Sequence, residues 1–281
     1  MKHMIRQLLR DLGYDIQKTP QVGKDKPNRS KGHIIEMLGP SGVGKTTLYN
    51  RALVKYKKDW YTSRQLRALV EFDNEFIKFD STPLKEIYSI LLKNKAINVW
   101  ESNRSLEEKY RRLKYMIDEV AVDRIASSQW LSRGVLSDNG LTHNFGEEII
   151  ALEDKLEKKE LTSISKEGMQ AFFRFRSIIS VTASTEYIKY NLKKRNLELK
   201  KTGSANNPNN YYRTIGKNYL EDYILSIFEE NRTMVEVAKK YGAGVLTIDV
   251  ETEQMKVVEE KITDFIEQSL IRQSIYNKRG E

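Results

Sequence analysis

The chain contains no cysteine, and none of its apolar runs approaches the roughly 18 residues that a membrane-spanning helix needs. The absence of cysteine excludes disulfide bonds and thiolate metal ligands, and it suits a reducing compartment. The N-terminus also lacks the apolar segment of a secretory signal peptide. We therefore expect a soluble, cytoplasmic protein without a membrane partner.

Positive charge is in excess. The chain has 48 lysines and arginines and 39 aspartates and glutamates, which gives a formal net charge of +9 at pH 7. This excess favours anionic partners, but it does not separate a nucleic acid from a nucleotide. A chain of 281 residues with 39% hydrophobic content can bury the core of one large domain or two small ones. The composition carries no signal for an oligomeric state.

The most informative stretch matches the pattern GxxxxGK(S/T) and comprises Gly39, Pro40, Ser41, Gly42, Val43, Gly44, Lys45 and Thr46. Its glycines let successive backbone N–H groups converge on phosphates without interference from a Cβ atom. Lys45 would reach the β- and γ-phosphates, and the Thr46 hydroxyl would bind Mg²⁺. Together with Thr47, these are the candidate nucleotide-binding residues.

The context of this loop supports the interpretation. Residues 33–38 read as a short buried strand, and residues 46–54 read as a helix that begins directly after the loop. Strand, loop and helix in this order are the setting in which the motif binds phosphate, and the helix dipole adds to it. The alternative is a glycine turn between two ordinary elements.

Two segments precede this unit. Residues 1–16 carry apolar side chains at helical spacing, which predicts a short amphipathic helix. Residues 18–31 hold two prolines and five basic residues, which favours a linker, with a phosphate- or nucleic-acid-binding arm as the alternative. We therefore expect a helix and basic linker over residues 1–32, followed by one domain over residues 33–281.

Helices follow the first unit. Trp60 to Arg64 is a candidate strand, and apolar stripes over residues 84–94 and 106–125 predict two helices. Pro83 is suited to the first position of the earlier helix. We assign residues 83–126 to a helical insert.

A carboxylate follows the next predicted strand, which runs from Gly134 to Asp138. Because parallel strands align their carboxyl ends at one edge, Asp138 is expected beside the phosphate loop. There it would hold Mg²⁺ through water or take a proton from an acceptor hydroxyl. Ordinary turn chemistry is the alternative. His143, in the polar loop that follows, is a candidate substrate contact, with a merely exposed loop histidine as the alternative.

Glu101 is a second candidate base. It follows the apolar residues Ile97 to Trp100. Its candidacy depends on this run being the second core strand.

The second half continues the alternation of helices and strands. Residues 146–176 look helical, and the aromatic and basic stretch at residues 172–176 is interpreted as a helix end covering the sheet, with base stacking as the alternative. Residues 177–182 predict a strand, and a helix then opens at Ser184 and closes on Arg195.

The closing part begins with a long polar segment, residues 196–213, which is basic and rich in asparagine. It suits a lid that excludes water from a transferring phosphoryl group, with a surface loop as the alternative. Residues 220–238 predict a helix, residues 245–249 the last strand, and apolar residues between 258 and 266 the final helix.

The assembled order, with the phosphate loop at its start, resembles the P-loop kinase family of nucleoside and nucleotide kinases, including the thymidylate kinase and deoxynucleoside kinase branches. The resemblance covers about residues 33–270, and its specific motif is the phosphate loop. It implies an α/β fold with a doubly wound parallel sheet, ATP and Mg²⁺ as cofactors, and transfer of the γ-phosphoryl to an acceptor. It also implies that the helical insert binds this acceptor.

The same resemblance implies roles for individual residues. Lys45, Asp138 and Arg195 would be catalytic, Thr46 and Asp138 would hold the metal, and Arg213 would be a further lid cation. Two positions depart from the family pattern: Asn139 follows the strand-end acid where arginine is usual, and Asn191 stands where a first lid arginine is often seen. A sugar, an antibiotic or another small alcohol is therefore an acceptor candidate beside a nucleoside or nucleotide.

The predicted function is an ATP- and Mg²⁺-dependent kinase with a small-molecule partner. A polynucleotide 5′-kinase or a nucleic-acid-dependent ATPase is the alternative, because the chain is basic and carries the arm at its N-terminus. A guanine-nucleotide switch lacks support, since the chain has no NKxD motif.

Overall fold

The computed structural model describes most of the domain predicted over residues 33–281. The described residues are 32–56, 60–72, 82–127, 131, 133–202 and 219–279. The predicted N-terminal helix and basic linker over residues 1–31 lie outside them, as do residues 203–213 of the predicted lid.

The strands form one five-stranded sheet in which every pairing is parallel. They are β1 (Ile34–Leu38), β2 (Trp60–Thr62), β3 (Gly134–Ser137), β4 (Arg176–Thr182) and β5 (Gly244–Asp249). Their spatial order is β2-β3-β1-β4-β5. Each connection crosses from one strand to a parallel one, so it carries at least one helix.

Ten helices are present in the described ranges. In chain order they are α1 (Lys45–Tyr56), α2 (Ser63–Phe72), α3 (Thr82–Glu101), α4 (Leu106–Ser127), α5 (Leu141–Asn144), α6 (Gly146–Glu157), α7 (Ser163–Arg174), α8 (Thr185–Lys201), α9 (Leu220–Lys240) and α10 (Met255–Arg279). No helix within the described residues is long and apolar enough to cross a membrane.

The two faces of the sheet bury different helices, which confirms the predicted α/β fold with a doubly wound parallel sheet. Successive side chains of a strand point to opposite faces. Ile35 and Met37 of β1 pack into a core with α1, α8 and α10, whereas Leu38 packs into a second core with α3, α6, α7 and α9. A smaller cluster joins β2 and β3 to α2 and α4.

Ile97 to Trp100 do not form the second core strand on which the candidacy of Glu101 depends. These residues form the end of α3, which contains neither glycine nor proline after Pro83 and so has no reason to stop earlier. Glu101 is therefore the exposed last residue of a helix and not the end of a core strand. The ground for treating it as a candidate base is removed.

Two helix boundaries also differ from the prediction. The helical region over residues 146–176 divides into α6 and α7, and Lys159 between them adopts a positive φ of 57°. Helix α8 continues past Arg195 to Lys201, so the first residues of the predicted lid are helical. This helix ends just before Gly203, which is the next helix-breaking residue in the sequence.

Candidate functional site

The glycine-rich loop joins the central strand β1 to α1 with a backbone that side chains would obstruct. Gly39, Gly42 and Gly44 have φ values of +151°, +89° and +108°. A Cβ on Gly39 would lie 2.5 Å from the carbonyl oxygen of Val181, so space as well as backbone conformation requires glycine there. The loop thus has the backbone that the sequence motif predicts.

Lys45, the first residue of α1, turns its side chain back over this loop. Its Nζ donates hydrogen bonds to the carbonyl oxygens of Gly39, at 2.5 Å, and Pro40, at 3.0 Å. Burial lowers the pKa of Lys45 to about 8; Asp138 opposes this shift and Arg195 adds to it. In this position the ammonium group of Lys45 can form an ion pair with a polyanion bound to the loop.

Asp138 lies where the sheet topology predicts it. Strands β1 and β3 are neighbours, so the residue after β3 emerges beside the residue that opens α1. The Thr46 hydroxyl donates to Asp138 Oδ2 across a distance of 3.4 Å. A hydroxyl and a carboxylate at this separation fit Mg²⁺, which typically takes one or two protein oxygens together with phosphate oxygens and water.

The described residues contain no group of three or more histidine, aspartate or glutamate side chains that could hold a metal on their own. A divalent ion at Thr46 and Asp138 would therefore depend on a nucleotide for its remaining ligands.

Helix α8 lies beside the phosphate loop. Arg195 Nη1 is 3.5 Å from the Ser41 hydroxyl, and Asn191 Nδ2 donates to the carbonyl oxygen of Gly42 at 3.0 Å. A Cβ on Gly42 would lie 2.9 Å from the Leu192 side chain, which shows how closely the helix packs on the loop. Arg195 is thus near the loop, and Asn191 bonds the loop backbone where a cation was expected.

A cavity of about 560 Å³ opens beside Thr46 and Asp138. Its remaining lining residues are Tyr49, Asn50, Leu53, Thr62, Ser63, Arg64, Arg67, Tyr115 and Asn139. They come from α1, α2, α4 and the ends of β2 and β3. The cavity is adjacent to the phosphate loop and large enough for a small second ligand.

Arg64 and Arg67 were not predicted as site residues. A capping box starts their helix: Thr62 Oγ1 accepts from the Gln65 amide at 3.1 Å, and Gln65 Oε1 accepts from the Thr62 amide at 2.9 Å. These reciprocal bonds end β2 and begin α2 at the cavity wall. The T-x-x-Q spacing is the sequence signal that would have located the helix start.

Arg67 is held by an acid and a phenol on α4. Its Nε donates to Glu119 Oε1 at 2.6 Å, and its Nη2 donates to the Tyr115 hydroxyl at 3.1 Å. Burial raises the pKa of Glu119 to about 7, although Arg67 lowers it in part. Glu119 is only 3% exposed and sits behind the guanidinium, away from the cavity lining.

Glu119→Gln should flatten the dependence of stability on pH. The folded-state pKa of Glu119 is raised from 4.5 to about 7, so between these values the folded state binds more protons than the unfolded state. Its contribution to stability is therefore lost as pH rises through this window, by about 3 kcal/mol in total. Denaturant unfolding at pH 5 and pH 8 should show a smaller difference in the variant than in the wild type. An equal difference would contradict the raised pKa.

Glu36 anchors the turn that carries Asp138. It lies in the middle of β1, is 1% exposed, and its carboxylate accepts from the backbone amides of Leu141, at 3.2 Å, and Thr142, at 2.9 Å. The Thr142 hydroxyl also donates to it. A Cβ on Gly140 would lie 2.2 Å from Glu36 Cδ, so only glycine allows this approach.

The charge of Glu36 is balanced by Arg176 of β4, which is also 1% exposed. Arg176 additionally donates from Nη2 to both carboxylate oxygens of Asp123 at 2.9 Å, and the Tyr88 hydroxyl donates to the same carboxylate at 2.5 Å. Burial raises the pKa of Tyr88 well above its usual range. Buried charges of this kind are tolerated only when paired, so the network holds β1, β4, α3 and α4 in one arrangement.

Thr142→Val should destabilise the protein more than Thr142→Ser. Valine removes a hydroxyl that donates to a buried carboxylate, which costs about 1.5–3 kcal/mol, whereas serine keeps the hydroxyl and loses about 0.8 kcal/mol of methyl burial. The free energy of unfolding from denaturant titration measures the difference. An equal loss of unfolding free energy in the two variants would show that the hydrogen bond from the Thr142 hydroxyl to Glu36 does not stabilise the protein.

His143 lies on α5 and is partly buried. Burial, together with the positive charges of Lys45 and Lys95, lowers its pKa from 6.5 to about 4, so the imidazole is neutral at pH 7.

Residues 172–176 bear out the interpretation of a helix end covering the sheet: Phe172 and Phe173 are buried, and the Arg176 guanidinium lies 3.9 Å from the centre of the Phe172 ring.

Comparison with known proteins gives structural neighbours alone. No protein-family model matches the chain, and no curated protein matches it. Three similar solved structures are of deoxyadenosine kinase from M. mycoides, with bound dCTP, with the products dCMP and a flexible dCDP, and with bound dATP. Their identities are 15%, 16% and 16%, and their TM-scores are 0.38, 0.38 and 0.37. They cover 84%, 84% and 83% of this chain and 99% of their own. At these values the likeness does not bear on activity.

Proposed function

We propose that this protein is an ATP- and Mg²⁺-dependent kinase that transfers the γ-phosphoryl group to a small-molecule acceptor. The observation that carries the proposal is the meeting of three features at one sheet edge. They are the phosphate loop with Lys45, the Thr46 and Asp138 oxygens 3.4 Å apart, and the adjoining cavity of about 560 Å³.

Each residue has a role in this proposal. The loop amides and the N-terminus of α1 bind the triphosphate, and Lys45 stabilises the charge that develops on the transferring group. Thr46 and Asp138 hold Mg²⁺, which neutralises phosphate charge when bound. Arg195, which reaches Ser41 of the loop from α8, adds a second cation beside the bound phosphates.

The cavity is the proposed acceptor site. It contacts the helical insert only through Tyr115 of α4, while α1 and α2 supply much of the remaining wall. The insert is thus one wall of the proposed acceptor site, and the start of α2 is another. The lid over residues 196–213 remains part of the proposal, and Arg195 of α8 lies directly before it in the chain.

The test is a product screen. The protein would be incubated with ATP and Mg²⁺ and with nucleosides, nucleoside monophosphates, sugars, sugar phosphates or a 5′-hydroxyl oligonucleotide, and products followed by ³¹P NMR. We expect ATP consumption that depends on one class of small acceptor. Phosphorylation of the oligonucleotide alone would favour the polynucleotide kinase, and no phosphorylated product from any class would contradict the proposal.

A further inference from the structure

The turn that carries Asp138 is held from two sides. Glu36 accepts hydrogen bonds from two backbone amides at the start of α5, directly after the turn. The carbonyl oxygens of the turn, those of Asn139 and Gly140, accept from Nδ2 of Asn144 at 3.3 and 3.1 Å. One side chain therefore binds the donors of this segment, and another binds its acceptors.

The amide group of Asn144 also reaches α4. Its Nδ2 donates to Glu119 Oε2 at 3.2 Å and to the Tyr115 hydroxyl at 3.5 Å. An amide nitrogen carries two hydrogens, so one can bond the turn while the other bonds α4. The neighbours of this nitrogen are carbonyl, carboxylate and phenol oxygens, all of which can accept a hydrogen bond. The nitrogen and not the oxygen of the amide therefore faces them.

The α4 side of this contact supports the wall of the cavity. Arg67 Nε donates to Glu119 Oε1 at 2.6 Å, and the carbon of the Arg67 guanidinium lies 4.8 Å from the centre of the Tyr115 ring. Arg67 and Tyr115 both line the cavity of about 560 Å³. The two carboxylate oxygens of Glu119 thus have different partners: Oε1 holds the wall, and Oε2 holds Asn144.

These contacts form one continuous path between the two parts of the site. It runs from Arg67 to Glu119 and from Glu119 to Asn144. From Asn144 it reaches the two carbonyls that directly follow Asp138. Asp138 in turn lies 3.4 Å from the Thr46 hydroxyl at the end of the phosphate loop. The path therefore joins the cavity wall to the carboxylate at the proposed metal site.

The two anchors of the turn lead to different places. Glu36 pairs with Arg176 of β4, and both are 1% exposed, so Glu36 ties the turn to the core of the fold. Asn144 is partly buried and ties the turn to the cavity wall. Because the contacts of Glu36 remain when Asn144 is replaced, we expect such a change to move the turn relative to the wall while the fold persists.

We propose that Asn144 is a positioning residue whose amide group fixes the turn carrying Asp138 to the part of the cavity wall that Glu119 supports. This inference rests on the proposed kinase function, in which Asp138 holds Mg²⁺ and the acceptor lies in the cavity. The amide then sets the distance between the metal and the acceptor. This distance matters because a displacement of about 1 Å at a reacting centre can lower a rate by about 10²-fold.

A metal titration tests the position of Asp138 without turnover. Mn²⁺, which takes the same oxygen ligands as Mg²⁺, would be titrated by EPR into the complex with a non-hydrolysable ATP analogue. Protein would be in excess, so that no free nucleotide binds the metal. We expect Asn144→Leu to weaken Mn²⁺ binding by about tenfold, the usual effect of losing a group that orients a metal ligand.

Two further variants separate the amide from the volume of the side chain. Asn144→Ala removes the amide without adding apolar atoms, and it should give a similar loss of Mn²⁺ affinity even if the leucine variant fails to fold. Asn144→Gln keeps the amide on a side chain that is one methylene longer. It should lose less Mn²⁺ affinity than either of the other variants.

Asn98→Leu is the matched control. Asn98 of α3 also donates from Nδ2 to a buried glutamate, with 2.9 Å to Glu148 Oε1, but α6, which carries Glu148, contributes no residue to the described lining of the cavity. Its Mn²⁺ affinity should equal that of the wild type. Affinity for the analogue in EDTA should be unchanged in both leucine variants, because Lys45 and the loop bind the phosphates. A general loss of structure would lower this affinity as well.

A titration of Glu119 tests the link without nucleotide or metal. Burial raises the pKa of Glu119 to about 7, and a donor to the ionised carboxylate lowers this value. The ¹³C carboxyl signal of Glu119, assigned by its loss in Glu119→Gln, should therefore titrate at a higher pH in Asn144→Leu and Asn144→Ala than in the wild type. The Asn98→Leu variant should titrate as the wild type does.

The possible results distinguish this inference from the kinase. Equal Mn²⁺ affinity in the wild type and the Asn144 variants, or an equal loss in Asn98→Leu, would overturn the positioning role and leave the kinase standing. A wild-type protein that binds neither the analogue nor Mn²⁺ would contradict the kinase. In that case a raised pKa of Glu119 in Asn144→Ala would still support the link to the wall, and an unchanged pKa would overturn it.

Discussion

Lys45→Ala should lower the rate of phosphoryl transfer by about 10²- to 10³-fold while leaving the fold intact. The Lys45 ammonium group donates to the loop carbonyl oxygens of Gly39 and Pro40. A bound triphosphate would replace these carbonyls as its hydrogen-bond partner. Alanine removes this charge from the transferring phosphoryl. The rate of ADP formation measures the loss, and circular dichroism with thermal unfolding measures the fold.

The matched control for this variant is Lys256→Ala, which removes an exposed lysine at the start of α10. It should retain wild-type turnover. Near-normal turnover in Lys45→Ala would exclude this lysine from the chemistry.

Asp138→Asn should lower turnover by about 10²- to 10⁴-fold and raise the Mg²⁺ concentration needed for half-maximal rate. Asparagine is nearly isosteric but lacks the charge that would help to hold the metal. The Asp138 Oδ2 atom that it replaces lies 3.4 Å from the Thr46 hydroxyl. Titration of the rate with Mg²⁺ and with pH separates the two roles left open for this residue. A lower rate with an unchanged Mg²⁺ requirement would favour a general base.

Asp264→Asn is the matched control, because it removes an exposed aspartate on α10. Its turnover and its Mg²⁺ requirement should equal those of the wild type. A similar loss in both variants would point to a general effect of charge.

The phosphate loop and the position of Asp138 could be predicted because each depends on local sequence and one topological rule. Positive φ at Gly39, Gly42 and Gly44 is what the motif requires, and the parallel pairing of β1 with β3 brings Asp138 to Thr46. Short apolar runs predict these strands, and the rule that parallel strands align their carboxyl ends predicts where Asp138 lies.

The sequence left open whether Ile97 to Trp100 form a strand, because an apolar run of four residues is too short to show a helical or strand periodicity. Such a run fits a buried strand as well as the end of a helix, and only the absence of a breaker after Pro83 decides between them. The same reasoning explains why α8 continues past Arg195 to Lys201.

The buried charges were missed for a different reason. Glu36 and Arg176 each belong to an apolar strand, and their partners lie 106 and 140 residues away in the chain. A charge inside a predicted buried strand is a signal that a partner exists, but spacing in the sequence does not identify it. Arg64 and Arg67 were missed likewise, because the sheet and α1, not their neighbours in sequence, bring them to the cavity.

Calorimetric titration of ATP in the presence of Mg²⁺ tests the central claim most directly. We predict saturable binding of one nucleotide per chain in the wild type and a marked loss of affinity in Lys45→Ala, with Lys256→Ala unchanged. Absence of binding to the wild type, or equal affinity in the wild type and Lys45→Ala, would contradict a triphosphate seated on the loop between Gly39 and Thr46.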